Sequence, residues 1–294
     1  MRLLRWIVLI VVVVGAGIGI YMLTPVTGPA RDLTLVGDAE HGAYLIRLGG
    51  CVTCHTDPKN KDAQLAGGAG LPTPFGTFYP PNITSSKTDG IGNWTLAQFS
   101  KAMSDGEGPE GHLYPAFPYD AYALMSDQEI ADLYAAMMVT PAIDTPSKAH
   151  EVGFPFNVRL AMAGWKHLFF KPQRFVADAS QTDEWNRGKY IVFGPGHCIT
   201  CHSPRNFLGG LEAGRELSGN LAGGPGGKAP SILKADLEKH EYDVEALVQT
   251  FTDGFTPGFD NLGGAMAEVV RDETSQWTDE DRRAVAAYLL SDAK

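Results

Sequence analysis

The string Cys-X-X-Cys-His occurs twice, as Cys51-Val-Thr-Cys54-His55 and as Cys198-Ile-Thr-Cys201-His202, and these are the chain's only four cysteines. Two thiols three positions apart can form thioethers with both vinyl groups of a haem, and the histidine that follows is then placed to meet the iron. A zinc site or a thioredoxin-like redox pair also uses two cysteines separated by two residues. Neither needs a trailing histidine twice, and a zinc ribbon keeps its pairs about 15–20 residues apart, far closer than motifs starting at 51 and 198. The spacing predicts two covalently bound c-type haems, with His55 and His202 as proximal iron ligands.

The motifs sit inside a longer internal repeat, Asp38 to Met138 and Asp183 to Leu290, and a repeat marks units of structure. Each copy begins with a short helix, Gly42-Ala-Tyr44 answering Gly188-Lys-Tyr190. After the haem motif comes a glycine-rich loop, with Leu65-Ala-Gly-Gly68 set against Leu221-Ala-Gly-Gly224, then Pro81-Asn-Ile83 and Pro230-Ser-Ile232. A helix carrying Phe99 and Met103, or Leu247 and Phe251, stops at Asp105-Gly106 or Asp253-Gly254. The last helix opens on a capping signal, Ser126 to Glu129 and Thr278 to Asp281. Both copies therefore read as mostly helical, with long turns wrapped around a prosthetic group. A carbonyl beside Pro81 or Pro230 is the expected acceptor for the Nδ1 proton of each ligating histidine.

In the second copy, Gly263-Gly-Ala-Met266 reads as a loop whose thioether can supply the sixth iron ligand opposite His202, with Met as ordinary core filler the competing reading. The first copy has Phe117 at the matching place, and phenylalanine cannot bind iron. Its sixth position is filled by another residue or left open. Met125, His112 and Met103 are the candidates, with Met125 preferred, although a residue just before a helix cap also serves as an apolar staple. Trp94 and Trp277 read as packing anchors. The segment from Pro141 to Thr182 mixes aromatics with Arg159, Lys166, His167, Lys171 and Arg174. It could lie on lipid headgroups, touch haem propionates or clamp the two copies together; the clamp is preferred.

From Trp6 to Leu23 there are 18 uncharged residues, preceded by Arg2 and Arg5. Such a helix nearly crosses a hydrocarbon core of about 30 Å. It is longer than a signal-peptide core and no small-X-small cleavage site follows, so an uncleaved anchor is expected over a cleaved signal. The arginines place the N-terminus in the cytoplasm and the rest outside, which in a bacterium is the periplasm. With 24 basic and 34 acidic side chains the net charge is -10, which argues against a nucleic-acid partner.

These residues together resemble the multihaem cytochrome c subunits of membrane-bound alcohol, gluconate and related dehydrogenases. The resemblance covers most of the exported part, through Phe75-Gly-Thr, Pro81-Asn-Ile-Thr84, Gly90-Ile-Gly-Asn-Trp94, Leu113-Tyr-Pro-Ala-Phe-Pro-Tyr119, Phe154-Pro-Phe-Asn157, Trp185-Asn-Arg-Gly188 and Cys201-His-Ser-Pro-Arg-Asn206. It implies an all-α fold of class I cytochrome c domains that pass electrons toward a quinone or a terminal oxidase. Two features depart from the family: two haem motifs where three are common, and Phe117 where the family's Tyr-Pro-Ala-Met-Pro-Tyr string has methionine.

The expected organisation is an anchor at 1–30, a first cytochrome c domain at 31–140, an interdomain segment at 141–182 and a second domain at 183–294. The expected role is electron transfer as a single-pass protein of a bacterial inner membrane. Its partners would be a dehydrogenase, a quinol-oxidising complex or a terminal oxidase. The rival is a dihaem enzyme, a peroxidase or sulfur-compound oxidase, with an open coordination site at the first haem.

Overall fold

The computed structural model describes residues 2–224 and 227–292. The chain begins with α1 (Arg2–Met22), whose stretch Leu4–Met22 has a mean hydropathy of 2.2 and is long and apolar enough to cross a membrane. None of its described side chains is buried, and all but Met22 are exposed. The first half continues with α2 (Ala39–Leu48), α3 (Cys51–His55), α4 (Leu96–Asp105), α5 (Tyr119–Tyr122) and α6 (Asp127–Met138). A connecting helix, α7 (Ala161–Phe169), leads to the second half. That half comprises α8 (Asp183–Phe193), α9 (Cys198–His202), α10 (Lys234–Lys239), α11 (Val244–Asp253), α12 (Gly264–Asp272), a 3-10 turn at Thr274–Gln276, and α13 (Asp279–Leu289).

Each half is framed by a crossed pair of helices, α2 on α6 and α8 on α13. Both crossings close at a glycine. A Cβ on Gly42 would collide with the Asp132 carbonyl, and one on Gly188 with the Ala284 carbonyl, so only glycine permits backbones to approach this closely. The capping signals form as expected: Ser126 and Glu129 make a reciprocal box, and the Thr278 side chain accepts from the Asp281 N–H. The Asp-Gly stops also form, with Gly106 and Gly254 left-handed at the ends of α4 and α11.

The expectation of an all-α fold needs one correction, in the connections. Strands β1 (Leu71–Thr73) and β2 (Gly76–Phe78) form a hairpin, as do β3 (Glu107–Gly108) and β4 (Gly111–His112). Strand β5 (Glu151–Val152) adds to the edge of β2, and β6 (Asn220–Gly224) pairs with β7 (Gly227–Ala229). Long glycine-rich turns held against a core must satisfy their backbone groups locally, and short antiparallel pairing does so.

One buried apolar cluster runs through both halves, from Leu45, Phe99 and Leu133 to Tyr190, Phe251 and Val285. The halves are also cross-tied. Tyr44 on α2 donates to Asp281 at the start of α13 (2.5 Å), and Tyr190 on α8 donates to Glu129 at the start of α6 (2.7 Å). Each half's first helix thus reaches the N3 acid of the other half's last helix, and Arg187 adds two bonds to Asp281. The connecting helix clamps the halves from one side. Its buried Lys166 donates to the Asp105 and Gly106 carbonyls at the end of α4 (2.6 and 2.8 Å), and Trp165 Nε1 donates to the Leu208 carbonyl (2.9 Å).

Candidate haem-binding sites

Cys51, Cys54 and His55 take the first, fourth and fifth positions of α3, and Cys198, Cys201 and His202 those of α9. Residues three and four apart share a helix face, so each turn presents two thiols and an imidazole on one side. Burial pushes the thiols of Cys51, Cys54 and Cys198 up to about 12. As free thiols at these buried positions they are protonated at neutral pH.

A repeated hydrogen-bond frame orients each histidine. His55 Nδ1 lies 2.7 Å from the Pro81 carbonyl oxygen and His202 Nδ1 lies 2.8 Å from that of Pro230, the two acceptors expected from the sequence. An Nδ1–H given to a carbonyl leaves Nε2 with its lone pair free for a metal. Burial lowers the pKa of both rings, outweighing the carbonyl bonds that favour the proton, and keeps them in the neutral, ligating form.

The frame continues outward. The His55 carbonyl accepts from Gly67 N–H (2.9 Å) and the His202 carbonyl from Gly219 N–H (2.7 Å). Leu65 N–H donates to Thr56 Oγ1 (3.1 Å) and Leu217 N–H to Ser203 Oγ (3.0 Å). Ile83 N–H then returns to the Leu65 carbonyl, and Ile232 N–H to that of Leu217. Leu65 and Leu217 share a left-handed φ of 63°. The counterpart of Leu65 is therefore Leu217, which corrects the sequence pairing with Leu221. The Leu-Ala-Gly-Gly string at 221 falls in β6, and its likeness to 65–68 is one of letters without a shared place.

A second pair of bonds sets the register of the distal side. Leu113 N–H donates to the Gly106 carbonyl (2.8 Å) and Leu262 N–H to the Gly254 carbonyl (2.9 Å), so Phe117 and Met266 lie the same four residues further on. Met266 stands in the first turn of α12, where a loop was expected, and is half-buried against the shared core. The extended Gly263 and left-handed Gly264 bring the chain directly into a helix there. Met125 is in the core at 1 % exposure, one residue before the Ser126 cap, and Met103 is buried on α4. His112 is in β4 with its Nδ1 3.2 Å from Lys166 Nζ.

Sequence reasoning missed the residues between the two motif turns. Both turns are entered through a left-handed residue, Gly50 (φ 62°) and His197 (φ 35°), and these two face one another. A Cβ on Gly50 would stand 2.6 Å from Glu273 Oε2 and 3.2 Å from His197 Nε2. The His197 ring is hydrogen-bonded to the Gly49 backbone, whose carbonyl also accepts from Tyr122 OH (2.7 Å). The Glu273 carboxyl is 2 % exposed, and burial raises its pKa well above the ordinary value. Once ionised it raises the pKa of all four cysteines, and it stands beside Gly50 at the entry to the first attachment turn. No local sequence signal marks an acidic residue following Asp272 as special.

Several buried polar atoms at the motifs have no partner: Thr53 Oγ1 and Thr200 Oγ1 inside them, and Arg205 Nε, Asn220 Nδ2 and Trp277 Nε1 around the second. Beside Cys54 a cavity of about 310 Å³ is lined by Arg47 and Lys61, and by Glu268 and the ion pair of Arg271 with Asp272. Unpaired donors and cations at the edge of an apolar core suit an apolar macrocycle bearing carboxylates. The residues present fit haem at both turns.

Comparison with known proteins agrees. The chain is 41 % identical over 290 residues to a dihaem c-type cytochrome of Cereibacter sphaeroides, covering 96 % of this chain and 95 % of that protein. The chain belongs to the dihaem c-type cytochromes. The cytochrome is also 39 % identical to the fructose dehydrogenase cytochrome subunit of Gluconobacter japonicus, over 86 % of this chain and 52 % of that one. To the alcohol dehydrogenase (quinone) cytochrome c subunit of Gluconobacter oxydans it is 37 % identical, over 86 % and 54 %. It thus spans about half the length of these two subunits. No family model matches the chain. As a member of this family, the cytochrome carries two covalently bound c-type haems and transfers electrons.

Proposed function

We propose that this cytochrome is tethered by α1 in a bacterial inner membrane and relays electrons in the periplasm, from a membrane dehydrogenase or quinol-oxidising complex to a terminal acceptor. Residues 31–140 and 183–294 form two class I cytochrome c domains, joined by 141–182. Two observations support the topology: an apolar helix of membrane length and Arg2 and Arg5 at its start. The dehydrogenase partner is supported by the relatives named as dehydrogenase subunits.

The observation that carries the reading is the back-to-back placement of two identically braced motif turns across Glu273 and Gly50. When bound, each haem supplies a one-electron iron couple. Cys51 and Cys54, and Cys198 and Cys201, hold the groups covalently, while the Pro81 and Pro230 carbonyls fix the His55 and His202 rings with Nε2 outward. Met266 would supply a thioether ligand to the group held at Cys198 and Cys201, and Met125, buried one residue before the Ser126 cap, would do so for the group held at Cys51 and Cys54. The shared apolar core packs against both attachment turns.

Intact-mass measurement with a redox titration tests this. The mature chain carries the added mass of two haems, and Met266→Ala lowers one midpoint potential and leaves the other. Two unchanged midpoints would remove Met266 from the ligand set. Co-purification in mild detergent with a dehydrogenase would support the donor. The enzyme reading keeps one observation in its favour, Phe117 at the register of Met266. A high-spin first haem that binds carbon monoxide would select it.

A further inference from the structure

The connecting helix α7 has two faces, and only one is used by the clamp. Ala163, Lys166 and Phe170 point inward and are buried. Leu160 and Leu168, one turn to either side of Gly164, are 58 % and 55 % exposed. The end of α1 lands on this outer face. A Cβ on Gly164 would meet Met22 Cβ at 3.9 Å. The Tyr21 and His167 rings lie 4.6 Å apart, and His167 Nε2 is within hydrogen-bond distance of both the hydroxyl and the carbonyl of Thr24.

The apolar surface extends beyond the helix. In the approach to α7, Phe154, Phe156 and Val158 are exposed, Phe154 by 83 %. Phe156 packs edge-on against Phe75 (5.0 Å between centroids), and Phe75 abuts Gly209 in the turn that exposes Phe207 and Leu208. Trp165 ties that turn to α7 through the Leu208 carbonyl. Lys171, just after the helix, is exposed.

We propose that the outer face of α7, with Phe154 to Leu160 and the Phe207-Leu208 turn, is a shelf that seats the cytochrome on the lipid surface. This rests on α1 spanning the membrane. At about 1.5 Å per residue, the 19 residues Leu4–Met22 cover roughly 28 Å, so Met22 lies at the edge of the hydrocarbon core. A helix touching Met22 is then within the roughly 5–10 Å depth to which interfacial helices bury their apolar faces. Leu160, Leu168 and the phenylalanines meet the acyl boundary, while Lys171 stays at the level of the phosphates. The shelf adds a second contact to the tether and fixes which side of the protein faces the bilayer, with the loop after the second haem motif turned toward it.

The test uses the full-length haem-loaded protein in nanodiscs of phosphatidylethanolamine and phosphatidylglycerol containing a lipid with a diazirine at the acyl-chain end nearest the headgroup. After illumination, lipid adducts are mapped by peptide mass spectrometry. Adducts are expected on α1 and on peptides within 154–171. In the Leu160→Asp/Leu168→Asp variant, adducts on 161–171 fall several-fold while the haem absorption spectrum and α1 labelling are unchanged. Labelling of α1 with none on 154–171 would overturn the shelf and leave the tether standing. Absence of labelling on α1 would overturn the tether, and the shelf with it.

Discussion

Around the two attachment turns the halves make the same bonds with different residues. Thr56 and Ser203 receive the same N–H, Leu65 and Leu217 adopt the same left-handed conformation, and the Pro81 and Pro230 carbonyls hold the two histidines. They differ where nothing repeats: Phe117 against Met266, Gly50 against His197, and Asp132 against Ala284 at the helix crossing. Asp132 is buried and accepts from the Asp38 N–H, His41 and Gln128, bonds that together hold its pKa down against burial. Ala284 brings no side-chain hydrogen bond to the second crossing, whose polar link is Arg187 to Asp281 at the start of α13. What holds the histidine and closes the crossing is thus common to both halves, while the distal side and the contact between the motifs are free to diverge.

The strongest way to break this comparison is to remove one prosthetic group at a time. Cys51→Ala/Cys54→Ala and Cys198→Ala/Cys201→Ala each lower the intact mass by one haem. Because one core spans both halves, either change lowers a single thermal transition of the whole body. Two separate transitions in calorimetry would show that the halves fold independently.

The crossing glycines come next. Gly42→Ala and Gly188→Ala each force a methyl onto a carbonyl and cost about 1–3 kcal/mol or more in denaturant unfolding. Similar losses are expected in both, since the approach is the same. A loss confined to one would mean that the crossings differ.

Glu273 sharpens the asymmetry, for it comes from the second half and is buried against the first motif's Gly50. Its folded-state pKa is raised above the ordinary 4.5, so the folded protein holds a proton that the unfolded chain has released. Its contribution to stability is complete below about pH 4.5 and is lost as pH rises toward the folded-state value. Glu273→Gln lacks this loss. Its stability relative to the parent therefore grows with pH above 4.5, by up to about 1.4 kcal/mol per unit, in urea titrations across a pH series. A constant difference would place the carboxyl in contact with solvent or a cation.

The smallest effects are expected at the cross-ties. Tyr44→Phe and Tyr190→Phe each lose a hydrogen bond to a carboxylate, about 1–3 kcal/mol in unfolding free energy, and Tyr44→Phe also removes the acceptor of the Thr278 N–H. Both carboxylates keep other partners, Asp281 the Arg187 guanidinium and Glu129 the Ser126 cap, so similar losses are expected.

Much of this was legible from residue order. The capping boxes, the Asp-Gly stops, the histidine-to-proline carbonyl bonds and the Phe117–Met266 correspondence depend on residues within one element or at a repeated interval. The loop register was misread because Leu221-Ala-Gly-Gly imitates 65–68 in letters, whereas the left-handed leucine that defines the place is Leu217. Met266 was expected in a loop because glycines precede it, and those glycines instead start a helix. Lys166 and Glu273 were illegible as buried groups, since a charged side chain is buried only by partners distant in the chain, here the Asp105 carbonyl and the Gly50 turn.

Taken alone, the order of amino acids determined the chemistry: two thiols and an imidazole on one helical face, twice, and an apolar run long enough to span a bilayer. Those are short-range matters of spacing and hydropathy. Only the tertiary structure decided that the two turns stand back to back across Glu273, that each half's tyrosine reaches the other's capping acid, and that α7 lies over the end of α1. Each of these joins residues distant in the chain, and such contacts follow from how helices pack around one shared core, which no local pattern of residues encodes.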